Sequence, residues 1–176
     1  MVLAFCYGGL PMRALFCLDG SNTERLVRQA FALLNSNDLR LVVLHVVDSG
    51  PSHEIERLRQ RFIGMGQRGA DLLAQMMQAE QEQGNEVLAT AQATLRRHWP
   101  GGAPGEDQVE GVVLRGRPEQ EIARLSMTMP IDLIVIGARR ALGPHEPPHP
   151  PGPKSIGHVA RFVLDHAPCP VLLLRP

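Results

Sequence analysis

Residues 39–47 read LRLVVLHVV and are apolar at every position except Arg40 and His45. An unbroken apolar run of this length suits a strand covered on both faces. Strands buried on both faces belong to parallel sheets, whose crossover helices lie above and below. Four shorter apolar runs follow the same reading: residues 13–18 (RALFCL), 109–114 (VEGVVL), 131–136 (IDLIVI) and 171–174 (VLLL). Turn residues close several of them, with Asp19-Gly20-Ser21 after the first, Gly116 and Pro118 after the third, and Gly137 after the fourth.

Helical patterns separate the strands. Ser21 or Asn22 can cap a helix on which Leu26, Ala30, Leu33 and Leu34 recur on one face. Residues 53–98 read mostly as helix, charged at first (HEIERLRQRF) and interrupted by Gly64, Gly66 and Gly69. A long helix then runs from about Ala70 to His98 and is stopped by Pro100, with Leu72, Leu73, Met76 and Met77 expected in the core. Glu119 and Glu121 sit in the first turn of another helix, where the dipole favours acidic residues. A last helix spans about Ile156 to His166. The order β-α-β-α-β-α-β-α-β with right-handed crossovers predicts an open five-stranded parallel sheet with helices on both faces.

The chain has 176 residues, enough for one domain that buries about 70% of its unfolded surface without disulfide or metal staples. Aromatics are only 4%, so the core falls to Leu, Val, Ile, Ala and Met. A formal net charge of zero argues against a basic nucleic-acid surface. Cys6, Cys17 and Cys169 have no CxxC or metal spacing. With no secretory signal they fit a reducing cytosol, with Cys17 and Cys169 as packed thiols. Residues 1–11 are apolar but too short to span a bilayer and lack a signal peptide's basic start. They are expected to be a loose extension, with Met12 a candidate start, ahead of a single domain over residues 12–176. Residues 138–153 form a proline-rich loop that excludes regular helix or central strand.

Ligands of open parallel sheets bind beyond the carboxyl ends of the strands, near the switch in strand order. The residues there are Asp19-Gly20-Ser21, Val46-Val47-Asp48, Gly116 and Gly137. His45 is expected as a satisfied core histidine. His145, Glu146, His149 and His158 are residue types that suit zinc, against the plainer reading of a solvated loop, and no metal is predicted. No nucleophile–base pair stands out: DGS is not a nucleophile elbow, and no motif sets a His beside a Ser.

Four segments, LFCLDGS, LVVLHVVD, LRGRPEQEIARL and IDLIVIGARR followed by IGHVARFVLDHAPCPVLLL, occur in an order and spacing that resembles the universal stress protein family over roughly residues 12–175. The resemblance implies a flavodoxin-like or adenine nucleotide alpha hydrolase-like sheet. It also implies a cytoplasmic stress-response module and a homodimer joined through the last strand, Val171, Leu172, Leu173 and Leu174. An exposed edge strand independently favours such pairing.

In the family's ATP-binding members an acidic residue at the first strand end contacts the ribose, which Asp19 matches. The main chain after an HV pair holds the adenine, which Val46 matches. A glycine closes the fourth strand, which Gly137 matches. Phosphate is then held by a G-x-x-G step and by Gly-Ser or Gly-Thr at a helix start, where backbone N–H groups attract the anion. This sequence departs from that pattern. Arg140 replaces the second glycine, the spacer before Gly157 is longer and proline-rich, and His158, followed by Val159, stands at the hydroxyl position. Arg139, Arg140 and Lys154 are cations that can hold phosphate by charge instead, and Ser155 carries a hydroxyl. The expected ligand is therefore ATP or another adenine nucleotide such as AMP. A non-nucleotide-binding dimeric interaction protein is the alternative, and a slow ATPase the third reading.

Overall fold

The computed structural model describes residues 11–20, 22–34, 39–48, 67–99, 102–138 and 156–175. Its strands are β1 (Met12–Leu18), β2 (Leu39–Asp48), β3 (Val109–Gly116), β4 (Leu133–Gly137) and β5 (Val171–Leu174). They form one sheet in the order β3-β2-β1-β4-β5, parallel throughout. Parallel neighbours need long crossovers. Among the described residues four α-helices lie in these connections: α1 (Thr23–Leu33), α2 (Gln67–His98), α3 (Pro118–Thr128) and α4 (His158–His166). The chain steps outward from β1 to β2 to β3, then returns across the sheet to lay β4 on the other side of β1. The strand order therefore reverses between β1 and β4.

Both faces are covered, which is why β1 is buried continuously from Ala14 to Leu18. Phe16, Leu18, Leu41, Val43 and Val135 point to the side held by Leu26, Val27 and Ala30 of α1 and by Ala91 and Leu95 of α2. Leu15, Val42, Leu44, Ile134 and Ile136 point to the side held by Ile122 and Leu125 of α3 and by Ala160 and Val163 of α4. Side chains alternate across a strand with a period of two, so only a sheet packed on both faces can absorb runs without polar alternation.

The expected core needs two corrections, and the expected start of β4 one. Leu33 is 53% exposed, because the buried stripe of α1 is Thr23, Leu26, Val27 and Ala30 and the helix ends at Leu33 itself. Met77 is 43% exposed, and the reason lies in the length of α2. Thirty-two helical residues span about 48 Å, whereas the ten residues of β2 span about 33 Å. Helix and sheet meet closely at Gly84, where a Cβ would stand 2.9 Å from Val113 and 3.1 Å from Val47. Val47 is the penultimate residue of β2, so the turns before Gly84 run past the carboxyl edge of the sheet. Arg115 of β3 ties them down, bonding the Glu80 carboxylate and, at 3.1 Å, the Met77 carbonyl. Met76 is half-buried, while the side chains of Leu72 and Leu73 lie outside the described residues. Finally, β4 begins at Leu133 and not Ile131, because Asp132 is spent at the amino edge, accepting from the Arg13 N–H at 2.8 Å.

Cys17 is buried and Cys169 partly so, while Cys6 is outside the described residues. Burial, then the nearby Cys169, pushes the Cys17 thiol far above its ordinary value. The unfolded chain begins to ionise this thiol near pH 8.5, while the folded chain keeps it protonated. Stability conferred by the protonated thiol is thus intact below that pH and declines above it, by up to about 1.4 kcal/mol per pH unit. Denaturant unfolding at pH 8 to 10 should show a steeper alkaline loss in the wild type than in Cys17→Ala. Equal slopes would contradict the burial of this thiol.

Candidate functional site

The reversal between β1 and β4 leaves a notch at the carboxyl edge. Leu18, the last residue of β1, pairs with His45, so β2 continues for three more residues, Val46 to Asp48, past the end of β1. Cys17 pairs with Ile136, which sets Gly137 level with Leu18 on the other side. Asp19 follows Leu18 between these two walls. Neighbouring strands are about 4.8 Å apart, so Val46, Asp19 and Gly137 occupy three successive positions across the notch. This is where an open parallel sheet takes a ligand.

Each wall is fixed by a local interaction. His45 Nδ1 lies 3.1 Å from the Leu18 carbonyl oxygen, so with its proton on Nδ1 the ring donates to the end of β1. The expected core histidine is thus satisfied, and it holds β1 against β2 at the foot of the notch. Asp19 Oδ1 accepts the backbone N–H of Asn22 at 3.0 Å, which is the turn-and-cap role of a DGS segment. Asn22 is the N-cap residue of α1, but its side chain makes no cap hydrogen bond. The amide packs instead against Gly137, and a Cβ added to Gly137 would lie 2.7 Å from Asn22 Nδ2. A Cβ at 137 would therefore push the Asn22 amide aside across the strand order reversal. The sequence gives no sign of this contact, because it joins residues 115 positions apart through the β1–β4 pairing. Its only local trace is an asparagine at a helix start that is buried where a cap is ordinarily solvated.

Of the other expected site residues, Gly157, His158 and Val159 form the start of α4. Because β4 and β5 run parallel, that start lies at the same carboxyl edge as the notch. Gly157 is the N-cap at φ +90°, a backbone region open to glycine and strained for other residues. His158 points outward with its side chain 84% exposed, and its Nε2 is 3.9 Å from the Glu119 carboxylate at the start of α3. When protonated it would pair with Glu119. Val159 turns inward against the core shared with α3. Arg140 lies outside the described residues, as do Ser21, Arg139, His145, Glu146, His149, Lys154, Ser155 and most of the proline-rich loop. Among the described residues no three His, Cys, Asp or Glu side chains gather into a metal-sized group, and no helix is long and apolar enough to cross a membrane.

Comparison with known proteins agrees with this architecture. The family model described as "Universal stress protein family" matches residues 12–175. A universal stress protein of Thermus aquaticus is 28% identical over 92% of this chain and 96% of its own length. The universal stress protein UspA from Lactobacillus plantarum superposes with a TM-score of 0.66 at 22% identity, over 94% of this chain and 99% of its own. A universal stress protein family protein from Arabidopsis thaliana, solved with AMP bound, superposes with a TM-score of 0.53 at 15% identity, over 94% of this chain and 92% of its own. With the family match covering the whole sheet and the four described helices, the chain belongs to the universal stress protein family.

Proposed function

We propose that this protein is a regulatory binding module that takes an adenine nucleotide in the notch between β1 and β4 and works as a homodimer joined through β5. The observation that carries the reading is the notch itself, where Asp19, Val46 and Gly137 succeed one another across the strand order reversal. Asp19 serves the ribose, the main chain at Val46 the adenine, and Gly137 gives the close approach. The phosphate side, from Arg140 to Gly157, His158 and Val159, has lost a glycine and a hydroxyl and gained charge and bulk. A monophosphate asks least of that half, and the AMP carried by the Arabidopsis relative supports the same choice.

Calorimetric titration with ATP, ADP and AMP tests the reading. Saturable binding is expected, with AMP at least as tight as ATP. Asp19→Ala should weaken it about tenfold, the size of one lost hydrogen bond to a charged group. The packing of Asn22 against Gly137 favours a second reading, an interaction protein of the same fold whose notch is filled by its own side chains. Well-folded protein that binds no nucleotide would establish that reading over the first.

The dimer has its own test. Ile134 N–H donates to the Pro170 carbonyl, and Ala138 N–H to the Leu174 carbonyl. Strand backbone groups alternate in direction, so those of Val171 and Leu173 turn away from β4 toward the free edge. Proline is tolerated in an edge strand where the lost N–H faced outward. Leu173→Pro should leave the fold intact and shift the protein from dimer to monomer in sedimentation velocity. A variant that remains dimeric would refute assembly through this strand.

A further inference from the structure

Asn22 is the polar group at the notch to which the reading above gives no task. The residue is only 8% exposed, and its Oδ1 is closed to solvent and accepts no hydrogen bond among the described residues. The hydroxyl of Thr23, next in sequence and also buried, likewise has no partner among the described residues. Buried polar atoms in folded proteins are almost always satisfied, and each exception calls for an explanation. Four such atoms occur among the described residues, Asn22 Oδ1, Thr23 Oγ1, Gln29 Oε1 and His98 Nε2, and of these Asn22 Oδ1 is the one beside Gly137 at the strand ends. The Asn22 backbone is held by Asp19, while its amide lies against Gly137. The side chain thus bridges the two strand ends between which a ligand enters.

An amide oxygen can only accept, so the missing partner is a donor. An adenine nucleotide offers few. Its phosphates are ionised, its ring nitrogens N1, N3 and N7 are acceptors, and its donors are the 6-amino group and the ribose hydroxyls. The amino group belongs to the adenine end, on the Val46 side of the notch. The hydroxyls belong beside Asp19, three residues from Asn22 on the same turn. We propose that Asn22 Oδ1 accepts a hydrogen bond from a ribose hydroxyl of the bound nucleotide and so makes the site select ribonucleotides over deoxyribonucleotides. The proposal rests on the adenine-nucleotide reading. Because Oδ1 is closed to solvent in the free protein, the side chain changes rotamer when the nucleotide binds.

The test measures affinities of AMP, 2′-deoxy-AMP, 3′-deoxy-AMP and inosine monophosphate for the wild type, Asn22→Leu and Asn22→Asp. The wild type should bind AMP about tenfold more tightly than at least one deoxy analogue, the effect of a single hydrogen bond. Asn22→Leu should bring that ratio close to one by weakening AMP alone. Asn22→Asp keeps an acceptor oxygen and should keep the ratio, since added charge repulsion acts on all the nucleotides alike. Asn22→Leu also removes an unsatisfied buried acceptor, so its ligand-free melting temperature should hold or rise. Asn22→Ala takes its place if the larger side chain prevents folding. Equal weakening of every nucleotide would overturn the proposal and leave Asn22 a structural residue. A ratio lost only for inosine monophosphate would assign the donor to the 6-amino group and overturn the ribose assignment. If the wild type binds no adenine nucleotide at all, the nucleotide reading itself falls and the proposal with it.

Discussion

Gly137→Val is expected to weaken adenine nucleotide binding by well over tenfold while leaving the fold in place. The first added carbon lands 2.7 Å from Asn22 Nδ2 and 3.8 Å from Leu26 Cδ1, so the amide must give way. Its escape routes are inward, against the buried stripe of α1, or outward into the notch where the ligand belongs. The γ-carbons of valine add bulk at the same point. Overpacking of this kind costs about 1–3 kcal/mol of stability, and the displaced amide at the end of a side chain sets the cost at the lower end. The binding loss should therefore far exceed the stability loss, as read by calorimetry and by denaturant unfolding of one preparation. Undiminished binding would show that the notch is not where the nucleotide sits.

Phe16→Ala should produce the largest loss of stability, about 3–5 kcal/mol, out of a total near 5–15 kcal/mol. Phe16 lies in β1, the central strand, with its ring 6.3 Å from that of Phe31 on α1. Phe31 meets Trp99, just beyond α2, edge-on at 5.2 Å. The three rings tie the central strand to both helices of one face, in a chain with few aromatics to fill a cavity. Phe162→Ala is the internal comparison. That ring stacks on His166 at 4.0 Å within the same helix, outside this chain of rings, and its loss should be smaller. A Phe16→Ala cost under about 1.5 kcal/mol would contradict a core centred on β1.

The fold is legible in the sequence because a strand buried on both faces leaves a run without polar alternation, and the segment at residues 39–47 is hard to read otherwise. Where residues were misplaced, the cause is a boundary that only packing sets. Leu33 fits the period of α1 yet falls at the helix end. Met77 fits the period of α2 yet stands beyond the last strand residue that could cover it. The carboxyl edge is legible as a ligand position from the turns at Asp19 and Gly137, since parallel topology fixes which end is which. The strand order that makes β1 and β4 neighbours is not legible locally, and with it goes the contact of Asn22 with Gly137. Asn22 after DGS reads as a cap, and only the sheet pairing turns it into a buried group at the notch.

Amide chemical-shift perturbation with AMP tests the central claim most directly, because it reports place and affinity together. Resonances of Asp19, Asn22, Val46, Gly137 and Gly157 should move saturably on a single isotherm, while those at the amino edge, such as Arg13 and Asp132, stay still. Saturating AMP that leaves the carboxyl-edge resonances unmoved, or moves only others, would contradict the notch between β1 and β4 as the nucleotide site.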